Sequence, residues 1–329
     1  MAAAAAGRGH ALGITLVIVS ACAFGSGALF AKPVYAAGMD WLGLLAWRFL
    51  FGAAVGWAWL LARRADRAAL RRISRRRLLV LLALGILYVT NSGTYYAALE
   101  TVPASLAAVI VYLYPAIVAV LALRWGRRLP GRRPWLALGI ATFGVVLAVG
   151  GVSPDAMPPI SGIALALASP IIYAGWIILS ARLAGERPQV EDALPPEAME
   201  AAEETEPAPA SALMMTATWA VFFVLATATG RPTVPWAVPE AAWFGLIGIG
   251  VISTAIAIQT FYAGTRRVGA AQAALISTVE PIYTITLAVL LFGETLTAVQ
   301  LLGGALVIVG VIIAQTAPRP VPLTAATAS

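Results

Sequence analysis

The chain has 329 residues, of which 60% are hydrophobic and only 11% are charged, against about 25% charged residues in a soluble globular domain. The net charge of +7 does not indicate nucleic-acid binding, because the basic residues stand in short segments between apolar runs and form no phosphate-tracking groove. One cysteine, Cys22, and one histidine, His10, exclude an internal disulfide and the usual Cys/His metal and haem sites. We therefore predict no cofactor and no metal.

Apolar runs of about 20 residues repeat along the chain, and a helix of that length crosses a 30 Å hydrocarbon core. Helices are predicted because isolated strands would leave backbone groups unpaired in lipid. The first run is too long for a signal-peptide core, so we interpret it as a retained helix. We predict an all-α membrane protein with ten transmembrane helices at residues 11–31, 41–62, 78–98, 104–123, 134–151, 160–182, 211–229, 241–264, 271–292 and 298–316.

The basic residues of the connections predict the orientation of these helices. If both termini are cytoplasmic, 19 of the 22 Lys and Arg residues lie on the cytoplasmic side. Lys32 and Arg231 then lie outside, and Arg48 lies within the second helix. The positive-inside rule therefore predicts a multi-pass protein of a bacterial-type inner (plasma) membrane with both termini in the cytoplasm.

Two segments have compositions that are typical of disorder. Residues 184–210, which join the sixth and seventh predicted helices, are rich in glutamate and proline, and such a segment buries little apolar surface. We interpret it as a disordered cytoplasmic loop, most simply a linker, with a regulatory or partner-binding role as the alternative. The C-terminal residues 317–329 are predicted to be a disordered tail.

The chain resembles itself at an offset of 166 residues. Among the matched pairs are Tyr96 with Tyr262, Pro115 with Pro281, and Gly144 with Gly310. The repeat predicts two halves of five helices each, residues 11–151 and 160–316. Because five is odd, the second half is expected to enter the membrane from the opposite side, which is a known plan for secondary transporters.

The end of the second half resembles the EamA type of the drug/metabolite transporter superfamily, and the resemblance covers about residues 11–316. The residues that carry it are Glu280-Pro281, then Leu291-Phe292-Gly293-Glu294-Thr295-Leu296-Thr297, then Gln300, Gly303, Gly304 and Gly310, with Trp47-Arg48-Phe49 in the second helix. The first half departs from the pattern, because Trp125-Gly126-Arg127-Arg128 stands where Gly-Glu is expected. The resemblance implies a ten-helix transporter of amino acids, other metabolites or drugs, and favours export.

Glu280 is predicted about ten residues into the ninth helix, close to the middle of the bilayer. An acidic residue there costs about 2.5–3.5 kcal/mol on insertion scales, so its presence favours a function. A carboxyl that exchanges protons with a cavity could couple transport to a proton gradient, or it could hold a cationic group of the substrate. The alternative is a neutral glutamate that is hydrogen-bonded to a neighbouring helix.

A cavity for an organic metabolite needs apolar walls and a few hydrogen-bonding groups. The other candidates for such a wall are Asn91, Tyr95, Tyr96, Tyr112, Tyr173, Trp176 and Gln259. Tyr173 and Trp176 are three residues apart and are expected to share a helix face. Three prolines are predicted near the middle of helices, where each removes a backbone hydrogen bond and forms either a gating hinge or a packed kink: Pro115, Pro170 and Pro281.

Other residues are assigned structural roles. Arg48 is expected to extend towards the outer interface or to pair with a carboxylate, for which Glu280 is one candidate. Glu294 is expected to fix a helix end and its loop. The spacing of Gly52 and Gly56 favours helix packing within one chain, so we expect a monomer, and a dimer stays open.

Three other classes of function were weighed against transport. An enzyme is disfavoured because every aspartate lies in a connection, no histidine lies in a predicted span, and no phosphate-binding Gly-rich motif with lysine is present. A channel would require rings of polar groups. A receptor or structural membrane protein stays open. The sequence predicts a secondary transporter in the lipid bilayer for a small-molecule substrate, with protons as a candidate coupling ion.

Overall fold

The structure is a computed structural model that describes residues 2–124, 132–152, 157–184, 207–268, 273 and 276–315. Every regular element within these residues is a helix, which confirms the predicted all-α class. The tail 317–329 and most of the loop 184–210 lie outside the described residues. The last four residues of that loop segment begin a helix at Pro207.

The described part of the first half contains seven helices: α1 Ala2–Ala36, α2 Trp41–Ala62, α3 Arg64–Arg72, α4 Arg75–Leu99, α5 Ala104–Val111, α6 Tyr114–Arg124 and α7 Arg133–Gly150. The described part of the second half contains α8 Ile160–Ala184, α9 Pro207–Ala228, α10 Trp243–Gly250, a π-helical segment Val251–Ile256, α11 Ala257–Val268, α12 Val279–Phe292 and α13 Ala298–Gln315. The short helix α3 lies in the arginine-rich connection, where no helix was predicted.

Among the residues that the structure describes, six stretches are long and apolar enough to cross a membrane: α1, α2, α4, α8, α9, and α10 continued through the π segment and α11. Four shorter apolar helical stretches of 10–17 residues begin at Ala104, Trp135, Val279 and Ala298 in this part of the chain, and the first of them includes α5 and the start of α6. Together they occupy the positions of the ten predicted helices, and the six long ones establish a multi-pass chain by length and composition.

Local side-chain chemistry sets several helix ends. Asp40 caps α2, because its carboxylate accepts a hydrogen bond from the Gly43 N–H at 3.0 Å. Ser74 caps α4 in the same way through the Arg77 N–H. Gly293 ends α12 in the left-handed region at φ 65°, a conformation that glycine adopts without the penalty of a Cβ.

The expectation of one continuous helix over 104–123 is wrong. The chain breaks after Val111 and starts again at Tyr114, so Pro115 lies in the first turn of α6. Pro281 likewise lies in the first turn of α12. A proline is tolerated in a first turn because its missing N–H would have no helical partner there, whereas in a helix interior its ring clashes with the preceding turn. Pro170 does lie inside a continuous helix, α8.

The helices α7 and α13 join the two halves through glycines. A Cβ on Gly144 would lie 2.6 Å from the carbonyl oxygen of Gly303, and one on Gly310 would lie 2.8 Å from that of Ala137. Residue numbers rise along α7 as they fall along α13, so the two helices run antiparallel. The two contacts are related by the 166-residue offset of the repeat.

A second pair, α2 and α9, packs in a similar way. A Cβ on Gly56 would lie 3.0 Å from the Met215 side chain, and one on Gly52 would lie 3.4 Å from the sulfur of that methionine. These glycines therefore pack within the chain, as predicted. The helices α2 and α9 also stand at equivalent positions of the repeat.

Candidate functional site

A cavity of about 300 Å³ lies between the two halves. The first half contributes residues of α1, α2, α4 and the α5–α6 break, and the second half contributes residues of α8, α9, the π segment, α11 and α12. Both halves therefore build the wall, and a movement of one half against the other would change the shape of the cavity.

Aromatic rings form much of the wall. Those that line the cavity are Phe24, Phe49, Tyr88, Tyr95, Tyr96, Tyr112, Tyr114, Tyr173, Trp176, Phe261 and Tyr262. Ring contacts cross between the halves, with centroids 4.8 Å apart for Tyr114 and Tyr173 and 5.0 Å apart for Tyr88 and Trp176. Tyr173 and Trp176 stack with an interplanar angle of 17°, which agrees with their expected common helix face.

Glu280 lies on this wall in the first turn of α12, where the positive end of the helix dipole favours a negative charge. The Tyr112 hydroxyl lies 2.8 Å from Glu280 Oε2 and 2.9 Å from the Ser277 carbonyl oxygen. That carbonyl is four residues before Pro281, so the proline leaves it without its usual helical donor. The tyrosine therefore connects the end of α5 to the start of α12.

The other predicted wall residues separate into two groups. Asn91 and Tyr95 line the cavity together with Tyr96, Tyr112, Tyr173 and Trp176. The Ser169 hydroxyl donates to Asn91 Oδ1 at 3.2 Å, and the Trp176 indole donates to the Leu84 carbonyl at 2.9 Å. Gln259 and the three prolines do not line the cavity. The structure therefore brings the predicted tyrosines, Asn91, Trp176 and Glu280 together around one space.

Arg48 also lines the cavity, although the sequence favoured a structural role for it. Its Nε–H donates to Thr254 Oγ1 at 3.0 Å. The guanidinium carbon lies 4.6 Å from the Tyr96 ring centroid and 5.2 Å from that of Phe49, which is the range of cation–π contacts. Arg48 makes no ion pair with Glu280 or any other described carboxylate, so the pairing considered from the sequence is absent here.

Several wall residues escaped the sequence analysis. They include Tyr88, Tyr114, Ser253, Thr254 and Phe261. For Arg48 the sequence did contain a signal, since an ionisable residue within a membrane span is a functional candidate by default. No comparable signal marked Ser253 and Thr254, which lie in the π segment.

Polar contacts link the two halves at the end of the bundle that carries Glu294. Arg231 Nε lies 2.8 Å from Asp40 Oδ2, and the Trp47 indole donates to the Pro232 carbonyl at 2.8 Å. The Glu294 carboxylate accepts hydrogen bonds from the Ala104 and Ser105 N–H groups at 2.9 and 3.0 Å. It therefore caps α5 from the other half of the chain, in line with its expected role at a helix end.

One further contact at this end lies within the first half. The Trp41 N–H donates to Glu100 Oε1 at 2.6 Å. Burial raises the pKa of the Glu100 carboxyl above its ordinary value, and the hydrogen bond from Trp41 only partly offsets this effect.

Comparison with known proteins identifies a sequence family. The sequence model of the EamA-like transporter family matches residues 11–150 and again residues 196–316. An uncharacterized transporter of Archaeoglobus fulgidus is 26% identical over 307 residues, which cover 92% of this chain and 96% of the relative. The uncharacterized transporter YcbK of Bacillus subtilis is 27% identical over 213 residues, which cover 63% of this chain and 62% of the relative.

A solved crystal structure has a similar fold. It superposes with a TM-score of 0.60 and covers 93% of this chain and 97% of its own, at 21% sequence identity. At that identity the likeness concerns the fold alone, and it extends over both halves.

Proposed function

Because the chain belongs to the EamA-like transporter family, and is thus a multi-pass membrane transporter and not an enzyme, we propose that it exports a small organic solute by alternating access of its two halves. The observation that carries the proposal is the cavity between the halves, to which both contribute walls. Rocking of one half against the other would open this space to each side of the membrane in turn.

The proposal includes ten spans in two inverted repeats, residues 11–151 and 160–316. It is supported by the antiparallel contact between α7 and α13, in which Gly144 and Gly310 occupy equivalent positions of the two repeats. A pseudo-two-fold axis between inverted halves produces pairs of contacts of this kind. The loop at 184–210 then joins the halves on one side of the membrane.

The orientation in the membrane is also part of the proposal. Eight arginines lie between residues 63 and 77, next to the end of α2. Arg231, by contrast, stands at the opposite end, in an ion pair with Asp40. The positive-inside rule then assigns the arginine-rich end and both termini to the cytoplasm of a bacterial-type inner membrane, and the end with Glu294 faces outside.

The cavity suits an amino acid, another metabolite or a drug-like solute. Tyrosine rings offer apolar faces together with hydroxyl groups, and the wall contains a few other polar side chains, such as Asn91 and Ser169. This is the usual chemistry of a pocket for a small organic molecule.

Glu280 is proposed as the proton-coupling residue. It lies on the cavity wall without an ionic partner among the described residues, and it is linked by Tyr112 to the other half of the chain. A proton taken up or released by this carboxyl would change the charge of the cavity and the hydrogen bond between the halves together. Such a change is able to bias the equilibrium between two conformations.

An untargeted comparison of solutes in medium and cytoplasm tests this function. Cells would express the wild type, an empty vector, Glu280→Gln, or Glu240→Gln as a matched control, since Glu240 is exposed and lies away from the cavity. We expect a solute that is enriched in the medium with the wild type and the control only.

The pH dependence of export separates coupling from binding. If Glu280 carries the coupling proton, export by the wild type and Glu240→Gln will vary with external pH, and residual export by Glu280→Gln will not. Normal export by Glu280→Gln across the pH series would remove Glu280 from the mechanism. Depletion of a solute from the medium by the wild type would instead indicate uptake and contradict the proposed direction.

A further inference from the structure

Arg48 is a buried cation that lacks an anionic partner among the residues that the structure describes. Its side chain is 7% exposed, and neither of the ion pairs found in the described parts of the chain includes it. An uncompensated charge away from water is costly and normally has a partner or a function. The contacts of this residue indicate which partner it lacks.

Only part of the guanidinium is used by the protein. The group has five N–H donors in one plane, of which Nε–H donates to Thr254 Oγ1 at 3.0 Å. Tyr96 and Phe49 lie within cation–π distance of the group, at 4.6 and 5.2 Å. The terminal nitrogens donate to no described residue, but they keep accessible surface at the cavity. They are therefore free to donate to a molecule inside it.

The π segment fixes the direction of the arginine. Thr254 donates its hydroxyl hydrogen to the carbonyl of Ile249, five residues earlier, at 2.9 Å. Its oxygen is thereby left to accept from Arg48. Glycines allow α2 to approach this segment, because a Cβ on Gly250 would lie 2.9 Å from the Arg48 carbonyl oxygen and one on Gly52 2.8 Å from a Thr254 methyl. The side chain is held in place before any solute arrives.

Two further donors in the same wall also lack acceptors. The hydroxyl oxygens of Ser92 and Ser253 are buried and have no hydrogen-bond partner among the described residues, and both residues line the cavity. Buried hydroxyls normally find partners. Arg48 is the one cationic residue, and Glu280 the one carboxyl, among the described residues of the wall, so a solute carboxylate in the cavity would find a single partner of opposite charge, Arg48.

We infer that Arg48 binds the carboxylate of an organic acid or zwitterion in the cavity. The planar pair of N–H groups on a guanidinium matches the two oxygens of a carboxylate, and the tyrosine rings are left to contact the organic body of the solute. The inference rests on the proposed function in one respect, since it identifies the bound molecule as the transported one.

Binding to the purified full-length protein in lipid nanodiscs tests the inference without requiring transport. The probes are 3-phenylpropionate and its neutral amide, 3-phenylpropanamide, which differ in charge but hardly in shape. We expect the wild type to bind the carboxylate at least about tenfold more tightly than the amide, as measured by tryptophan fluorescence and thermal stabilisation.

Four variants assign this preference to the arginine. Arg48→Gln should abolish it, and Arg48→Lys should retain part of it, because a lysine keeps the charge but not the planar pair of donors. Thr254→Val should weaken it, because Nε then loses its acceptor. Arg63→Gln is the matched control, since Arg63 also contacts a ring, that of Trp59 at 5.4 Å, but lies outside the cavity wall.

A wild type without a carboxylate preference, or a preference that survives in Arg48→Gln, would overturn the inference. Should Arg48→Gln fail to fold, Arg48→Lys and Thr254→Val still decide, because unchanged preferences in both would also overturn it. Selective binding without export of any carboxylate from cells would retain the site and contradict the proposed function. Export of solutes that all lack an anionic group would retain the function and contradict the site.

Discussion

Removal of the Glu294 carboxylate should destabilise the contact that it makes between the two halves. Glu294 follows α12 in the second half, and it accepts hydrogen bonds from Ala104 N, Ser105 N and Ser105 Oγ at the start of α5. Ala104 and Ser105 are 0% and 2% exposed with the carboxylate in place, so their N–H groups depend on it, and not on water, for a hydrogen-bond acceptor.

The expected cost follows from these contacts. Hydrogen bonds to a charged group contribute about 1.5–3 kcal/mol each, and loss of a helix N-cap costs about 0.5–2 kcal/mol. The three contacts share one carboxylate, so their contributions do not add fully. We expect Glu294→Ala to lower the free energy of unfolding by about 2–4 kcal/mol, and Glu294→Gln, which keeps one acceptor, by less.

Unfolding by SDS in mixed micelles, followed by tryptophan fluorescence, would measure both variants. Glu240→Ala is the control, since Glu240 lies at the same end and is exposed, and its carboxylate makes no hydrogen bond or ion pair with the described residues. A loss for Glu294→Ala that is no larger than that of the control would refute the argument that this carboxylate holds the halves together.

Three further perturbations follow from the packing and the site. Gly144→Ala should destabilise the chain, because its Cβ would lie 2.6 Å from the Gly303 carbonyl oxygen. Gly139→Ala in the same helix is the control, since its Cβ would meet nothing within 4 Å and the change should gain up to about 1 kcal/mol from helix propensity. Equal unfolding midpoints of the two variants in the SDS assay would contradict this expectation. The folded state raises the pKa of Glu100, so its contribution to stability is fully present near or below the ordinary value of about 4.3 and is lost as the pH rises through the raised folded value. The wild type should therefore lose stability relative to Glu100→Gln between acidic and neutral pH. Unfolding measured across this pH range would contradict the expectation if the difference in free energy of unfolding between the two proteins stayed constant or changed in the opposite direction. Tyr112→Phe removes the hydroxyl beside Glu280 and should slow export by up to about tenfold, whereas Tyr35→Phe, whose hydroxyl donates to a backbone carbonyl at 2.7 Å, should have a smaller effect.

The helices with strong local signals could be predicted from the sequence. The span at 41–62 matches α2, because an apolar run of that length follows an aspartate that can cap it. The structure differs where tertiary contacts decide. A proline at 115 predicted a kink, but the chain starts a new helix there, and the end of the broken segment turns Tyr112 towards Glu280. The π segment has no signature in composition or periodicity.

In the site, too, residues with a local signal could be predicted from the sequence, whereas roles that depend on tertiary contacts could not. Tyrosines, Asn91, Trp176 and Glu280 are polar or amphipathic groups in apolar runs, so the sequence alone made them candidates. The role of Arg48 depended on its neighbours, because the sequence could not show whether a carboxylate or Thr254 would lie beside it. Gln259 fitted the same chemical pattern as the others, but the cavity wall does not include it.

Alternating access requires the contact between Asp40 and Arg231 to open during transport. Cysteines at these two positions in a Cys22→Ser background would be bridged by a bifunctional thiol reagent, and export of the identified solute measured before and after reduction. A matched pair at Trp41 and Glu100 would be bridged in the same way, since both residues lie in the first half.

If the halves alternate, the bridge between 40 and 231 will stop export, reduction will restore it, and the bridge between 41 and 100 will leave it nearly unchanged. Export at the normal rate with positions 40 and 231 fully bridged would contradict alternating access of the two halves.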